Sequence, residues 1–375
     1  MSKVSIIITA HNYAQYLKQA VDSALGQNYP SEVIVVDDGS SDNTPEIIKS
    51  YGSRVKAIRV DSVGLAAASN AGVAVSSGVY VVRLDADDWL HPNAAGYLAW
   101  ALDNWPVDMV YCDHWLVNEA GEMLEQIKHL RASNEVTLFD RPAPAAGAMY
   151  RRSCFDAIGG YNETLRHQED YDFWIKFIER FRIGNYVKPL YYRRQHANSM
   201  SNNFDARMKA RRQVKRAFVQ KNRKPRTTEI INVANPIPES RFIDYCTTNA
   251  ELIVIRHISS PFITQEHITE AVDTLLLYDT DSVIAVVEDK SYHWKIGMNG
   301  LTPVGYQKRV ARQDRDLVFR EAGGLYVVKR ENIIKGDMFG RVIGHIEMSA
   351  EEAWRAVSPF EKWVAGRVRD ENWKP

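Results

Sequence analysis

The sequence predicts an α/β protein in which a mainly parallel sheet domain is followed by a second, smaller α/β domain. Three observations lead there. From Val4 to Leu84, short apolar runs rich in β-branched residues alternate with amphipathic stretches of helical period. Three of those runs stop at polar or acidic residues: Thr9 to Asn12, Asp37-Asp38, and Asp85, Asp87 and Asp88. A second alternation begins near Thr228, beyond a stretch from Ala206 to Arg226 that holds ten lysines and arginines and no acid. The expected organisation is a first domain at 1–203, a basic helical connector at 204–226 and a further domain at 227–375.

In order, Val4 to Ile8 forms a strand and Tyr13 to Leu25 a helix with Tyr16, Leu17, Ala20, Val21 and Ala24 on one face. Ser31 to Val36 is the next strand; a turn follows, then a helix start with Asp42 or Thr44 as N-cap and Pro45 early in the helix. Arg54 to Val60 is a strand, Gly64 to Val75 a helix, and Val79 to Leu84 a strand composed as if buried on both faces. In such sheets ligands collect at the carboxyl ends of the strands, where all three polar clusters fall. Trp105 to Met149 holds a hairpin about Gly121 and a proline- and alanine-rich stretch, Arg141 to Gly147, expected to cover the site.

Composition excludes little. The 375 residues are 45% hydrophobic and 25% charged, with a formal net charge of zero, so any preference for nucleic acid or an anionic membrane must be local. Cys112, Cys154 and Cys246 lack disulfide or metal-ligand spacing and are expected as plain thiols in a reducing compartment. No apolar run approaches the roughly 20 residues that span a bilayer, and the chain opens on a strand pattern without a leader. The expected location is the cytoplasm or the cytoplasmic face of a membrane.

Asp85 and Asp87 sit together at a strand end. Two carboxylates held that close repel unless a cation lies between them, and hard oxygen ligands suit Mn2+ or Mg2+, which bridge to phosphate oxygens. An isolated D-x-D is more often an ordinary solvated turn. Here it stands among further motifs: VSIIITAHNYAQYLKQAVDSALGQ, EVIVVDDGSSDNT, GLAAASNAGVAVSSGVYVVRLDADD and HQEDYDFWIKF. Their order and spacing resemble the family 2 inverting glycosyltransferases of GT-A (Rossmann-like) fold.

The resemblance implies a nucleotide diphosphate sugar as donor. Thr9, His11 and Asp38 would hold the base, Asp85 the ribose or the water shell of the metal, and Asp87 the metal itself. Asp170 would be the catalytic base, with Glu169 beside it at the substrate, and His196 lies where some relatives bring a histidine to the metal. The chemistry agrees. Asp38 can only accept hydrogen bonds, which suits uracil N3–H or guanine N1–H, and inverting transfer needs one base to deprotonate the acceptor hydroxyl. Tyr171, Phe173, Trp174 and Phe177 can seat the Asp170 helix in a partly dry pocket. One departure is Ser69 before Asn70, where many relatives carry an arginine.

The connector predicts an amphipathic helix with a thin apolar stripe of Met208, Val214, Ala217 and Phe218. It is either a solvated helix packed on its neighbour or a contact for nucleic-acid phosphate or anionic lipid. The acceptor is therefore expected to be a glycan or lipid-linked saccharide, with a hydroxylated base of DNA as the alternative. Beyond it, AELIVIRHISSPFITQEHITEAVDTLLLYDTDSVIAVVE and REAGGLYVVKRENI resemble the CMP-sugar synthetases. An active member needs a glycine-rich loop to cradle a triphosphate, and no glycine lies between Gly184 and Gly297; His345-Ile346-Glu347 stands where paired metal-binding aspartates are expected. The resemblance therefore implies a degenerate domain kept for assembly or acceptor docking, and a homodimer formed through about 288–325. Two other readings stand beside the transferase: an enzyme that also activates a sugar with CTP, and a non-catalytic nucleotide-sugar-binding module.

Overall fold

The computed structural model describes residues 4–128, 146–196, 203–234, 243–289, 294–297, 300–303 and 318–370. The proline- and alanine-rich stretch as far as 145, and most of the segment expected to dimerise, lie outside them. The described residues divide into two compact units, one up to Arg211 and one from Arg212.

The first unit is built on nine strands. β1 (Val4–Ala10), α1 (Ala14–Leu25), β2 (Ser31–Asp38), α2 (Thr44–Ser50), β3 (Lys56–Val60), α3 (Leu65–Ala74) and β4 (Tyr80–Asp85) follow the expected alternation. Then come β5 (Trp89–Leu90), α4 (Ala94–Asn104), the hairpin β6 (Met109–Val117) and β7 (Met123–Ile127), β8 (Met149–Arg151), α5 (Arg152–Ile158), α6 (Glu169–Ile178) and β9 (Ile183–Arg194). The sheet runs β3-β2-β1-β4-β8-β6-β9-β5, with β7 on β6. β1 to β4 are mutually parallel, whereas β8 is antiparallel to both β4 and β6.

Strand alternation divides the core. Val4, Ile6 and Ile8 pack with Leu17, Ala20 and Val21 of α1 and Leu98 and Leu102 of α4, whereas Ile7 packs with Ala68 and Val73 of α3 and Phe173 and Phe177 of α6. Ile6, Ile7 and Ile8 are at most 1% exposed, and each such side chain contributes about 1.5–3 kcal/mol of burial. The whole predicted face of α1 is buried. The hairpin turns at Gly121, whose φ of +89° an L side chain rarely adopts. For α2, the N-cap is Asn43, while Asp42 accepts hydrogen bonds from the amides of Thr44 and Ala14.

The second unit takes the C-terminal part of α7 (Phe204–Asn222), then β10 (Thr228–Val233), β11 (Leu252–His257), α8 (Gln265–Tyr278) and β12 (Ser282–Asp289). β13 (Trp294–Gly297), β14 (Gly300–Pro303), β15 (Val318–Lys329), α9 (Arg330–Lys335), β16 (Ile343–Glu347) and α10 (Pro359–Asp370) complete it. Its main sheet runs β10-β11-β15-β12-β16, with β15 antiparallel to both neighbours. Thr264 caps α8 in a reciprocal box with His267.

The apolar stripe of α7 needs a correction. Met208 and Val214 are buried, but Ala217 is exposed and Lys215 is fully buried in its stead. Lys215 Nζ donates to Glu270 Oε1 and to Thr274 Oγ1, both at 3.0 Å, and Arg212 Nε donates to Glu270 Oε2 at 2.7 Å. A buried ammonium is tolerated only with such partners.

Candidate active site

Register brings the polar clusters together. Thr9 pairs with Asp85 across β1 and β4, and Ala10 with Asp37 across β1 and β2, so three loops open at one carboxyl edge. Asn12 binds two of these loops. It adopts φ +60°, which asparagine tolerates, its amide donates to Ser40 Oγ, and its side-chain oxygen accepts from the amides of Ser41 and Asp42. An asparagine in a loop after a strand was the one signal that could have singled it out.

At the end where the base is expected, Thr9 Oγ1 is buried and, among the described residues, has no hydrogen-bond partner. Asp38 is buried and its two oxygens accept the amides of Val63, at 2.7 Å, and Gly64, at 2.9 Å. Each oxygen keeps a lone pair. The exposed His11 ring sits with Nδ1 2.5 Å from the carbonyl oxygen of Asp38.

Asp85 to Asp88 form a tight turn in which the amide of Asp88 donates to the carbonyl of Asp85 at 3.1 Å. The three carboxylates diverge from there. Asp88 turns inward and accepts the amide of Arg194 at 2.8 Å. Asp87 Oδ2 lies 2.9 Å from Nε2 of His196. Asp85 Oδ1 is an ion-pair partner of Arg83 Nε at 3.4 Å, without an aligned hydrogen bond. Burial, then the neighbouring Asp85, pushes the Asp87 carboxyl above its ordinary range, and burial with Asp87 and Asp85 does so more strongly for Asp88.

These are carboxylates short of positive charge, and their hard oxygens suit Mn2+ or Mg2+. The residues present fit such an ion. Asp87 and His196 would hold it and Asp85 would stand behind it. Among the described residues no three His, Cys, Asp or Glu side chains form a full cation cage, so phosphate oxygens of a ligand would complete the coordination.

Two arginines that sequence reasoning passed over organise this edge. Arg83 is 4% exposed inside β4, its Nη1 donates to Glu169 Oε1 at 2.8 Å, and its guanidinium lies 5.4 Å from the Tyr161 ring centre. Burial opposes its charge, yet Asp85, Tyr161 and Glu169 together push its pKa above the usual arginine value. Arg194 donates from Nε to the Asp87 carbonyl and from Nη2 to Gln19 Oε1, and stacks between Tyr16 and Trp89 at 4.7 and 5.0 Å.

Glu169, expected at the substrate, is buried with its carboxylate taken by Arg83. Asp170, the expected base, is half-buried, and its side chain accepts the amide of Tyr171 at 2.8 Å. Tyr171, Phe173 and Phe177 are buried beneath it as expected, with Trp174 half-buried. The residue before this helix, Gln168, accepts Arg211 Nε at 2.7 Å, and Arg211 lies over the Tyr171 ring. Ser69 is 1% exposed and supplies no charge, while Asn70 grips the loop before α6: it donates to the Tyr161 carbonyl and accepts the Tyr161 amide, both at 2.9 Å.

Residues 5–159 match the family described as glycosyl transferase family 2. The N-terminal region is a family 2 glycosyltransferase domain. An uncharacterised glycosyltransferase of Rickettsia prowazekii (strain Madrid E) is 33% identical over 193 residues, covering 48% of this chain and 59% of the relative. The chondroitin synthase of Pasteurella multocida (strain Pm70) is 33% identical over 212 residues, or 55% of this chain and 22% of that protein. The chain thus spans about three fifths of the first relative and under a quarter of the second. Among solved structures, S. aureus TarS 1–349 in complex with UDP-GlcNAc superposes with a TM-score of 0.50 at 22% identity, covering 60% of this chain and 68% of that 1–349 chain. That likeness shows the fold, a GT-A-like α/β domain, and the family 2 domain thus has the fold class expected from its strand order.

Proposed function

We propose that this protein is a metal-dependent inverting glycosyltransferase that moves a sugar from a nucleotide diphosphate sugar to an acceptor hydroxyl. The observation that carries the reading is the convergence at one sheet edge of the buried, unpartnered Thr9 hydroxyl, the Asp87–His196 contact of 2.9 Å, and the helix start that presents Asp170. The free lone pairs of Asp38 suit uracil N3–H, which favours a UDP-sugar; guanine N1–H and a GDP-sugar fit the same carboxylate.

In the transfer, Asp170 takes the proton of the acceptor hydroxyl as its oxygen bonds to the anomeric carbon. The bond from that carbon to the donor oxygen breaks on the opposite face, and the nucleoside diphosphate leaves with the bonding pair. A divalent cation at Asp87 and His196 would supply Lewis-acid stabilisation of that leaving charge. Arg83 holds Glu169, and so the first turn of α6, at a set distance from the strand end. Tyr171, Phe173 and Phe177 keep water from beneath the base.

The acceptor we propose is a glycan or lipid-linked saccharide. A DNA acceptor drew on the charge of α7, and much of that charge is spent within the protein: Arg211 on Gln168, Arg212 and Lys215 on Glu270, and Arg223 on the carbonyls of Leu276 and Leu277. The second unit is proposed to serve assembly or acceptor docking as a degenerate nucleotidyltransferase-like domain, in a homodimer. No described helix is long and apolar enough to cross a membrane.

Donor hydrolysis with Mn2+, compared for the intact chain and Asp170→Asn, tests the proposal. Turnover lost in the variant, with UDP or GDP still raising the melting temperature, supports it. Equal and negligible turnover in both proteins would instead favour a non-catalytic binding module.

A further inference from the structure

We propose that Arg166, in the loop that leads into α6, is the side chain that meets the diphosphate of the donor; this rests on the donor reading above. A diphosphate needs positive charge at the sheet edge, and the arginines there are almost all engaged. Arg59 is paired with Asp37, Arg83 with Asp85 and Glu169, and Arg194 with Gln19 and the carbonyls of Asp87 and Glu119. Arg166 is exposed and, among the described residues, has no hydrogen-bond or ion-pair partner. Ser69 is buried and uncharged, so α3 does not supply the charge from that position.

Arg166 is also placed. Its Nη1 lies 2.8 Å from where a Cβ on Gly64 would stand, and Gly64 has φ +96°. Glycine is needed there for the backbone angle, and the Arg166 guanidinium lies against it. Gly64 is the residue whose amide donates to Asp38, so the cation sits beside the base-binding carboxylate and the start of α3.

The loop is held in that position by Asn70, which bonds both backbone groups of Tyr161 and donates to Glu163 Oε1 at 2.8 Å. Gly160 makes the approach possible, since a Cβ there would come within 2.8 Å of Asn70 Oδ1. An unpaired guanidinium fits two phosphate oxygens through its parallel N–H groups.

The experiment is calorimetric titration of the full chain with UDP, GDP, uridine and guanosine in the presence of Mn2+, for the wild type, Arg166→Ala and Arg166→Lys. Arg166→Ala is expected to weaken binding of the nucleoside diphosphate by about tenfold or more, since hydrogen bonds to charged groups are among the stronger ones. The nucleoside should be affected little, and Arg166→Lys should recover part of the loss. In turnover the same variant should raise KM for the donor more than it lowers kcat. Because Arg166 has no partner, the ligand-free melting temperature should stay within about a degree of wild type.

An unchanged Kd for the diphosphate overturns the assignment and leaves the transferase reading intact. An equal loss for nucleoside and diphosphate puts the guanidinium on the base and overturns it as well. A wild-type chain that binds neither UDP nor GDP removes the donor reading, and this inference falls with it.

Discussion

Nε2 of His196 lies 2.9 Å from Oδ2 of Asp87, although 109 residues separate them in the chain. Strand β9 makes the approach, because its end pairs beside the Asp85–Asp88 turn and Arg194 ties its backbone to Asp88. On the proposed function, this carboxylate and imidazole would give a divalent ion two donors. Asp87→Asn should therefore abolish Mn2+ binding, and His196→Ala should weaken it by at least about tenfold. Titration followed by Mn2+ electron paramagnetic resonance reads both. Unaltered affinity in Asp87→Asn would remove the metal from this place.

Arg83 joins the buried carboxylate of Glu169 to the half-buried one of Asp85, from two separate elements. Its replacement by methionine leaves the buried Glu169 carboxylate unpaired, at a cost of about 3–5 kcal/mol. Urea unfolding of Arg83→Met should show that loss, and the double variant Arg83→Met/Glu169→Leu should recover part of the stability without recovering turnover. Full activity in the double variant would mean that the pair only packs the fold and does not position Asp170.

In the second unit, Lys215 is 0% exposed and shares Glu270 with Arg212. Lys215→Met leaves Glu270 with one half-exposed partner and is expected to destabilise by about 3 kcal/mol. Lys215→Met/Glu270→Met should be closer to wild type than the single variant, because apolar pairs replace buried ion pairs at little net cost. Differential scanning calorimetry separates these outcomes.

Acid stability has an identifiable contributor. Burial raises the Glu352 carboxyl, but hydrogen bonds from His267 and the Ser349 amide outweigh it and bring the pKa down to about 2. A depressed carboxyl pKa means that the unfolded chain binds more protons between the ordinary value near 4.5 and about 2. Stability from this group is therefore complete above that window and drains away as the pH falls through it. Glu352→Gln should flatten the acid limb of the melting-temperature profile, with little effect on its slope above pH ~6. An unchanged acid limb would contradict the assignment.

Local pattern was enough to place β1 to β4, α1 and α3, each within a few residues of the structure, because period and strand-end chemistry are written in neighbouring residues. It was also enough to bring Thr9, Asp37, Asp38 and Asp85 to one edge, since parallel strands of similar length must end together. Partner choice was not legible in this way. Arg83 looked like part of an apolar strand, and only the arrival of α6 shows that its charge has a use. Glu169 and Asp170 are adjacent in sequence and of one chemistry, yet packing buries the first on Arg83 and leaves the second half-buried.

The same distinction holds on α7. Ten basic residues between Ala206 and Arg226 state a charge, and the carboxylates of distant helices decide how much of it remains. Neighbouring residues thus settle which segments form strands and helices and which strand ends carry acid. Only the folded chain settles which charges are spent on one another, because pairs such as Arg83–Glu169 and Lys215–Glu270 depend on elements that meet across many tens of residues, and a single turn of helix determines whether a side chain finds its partner or faces water.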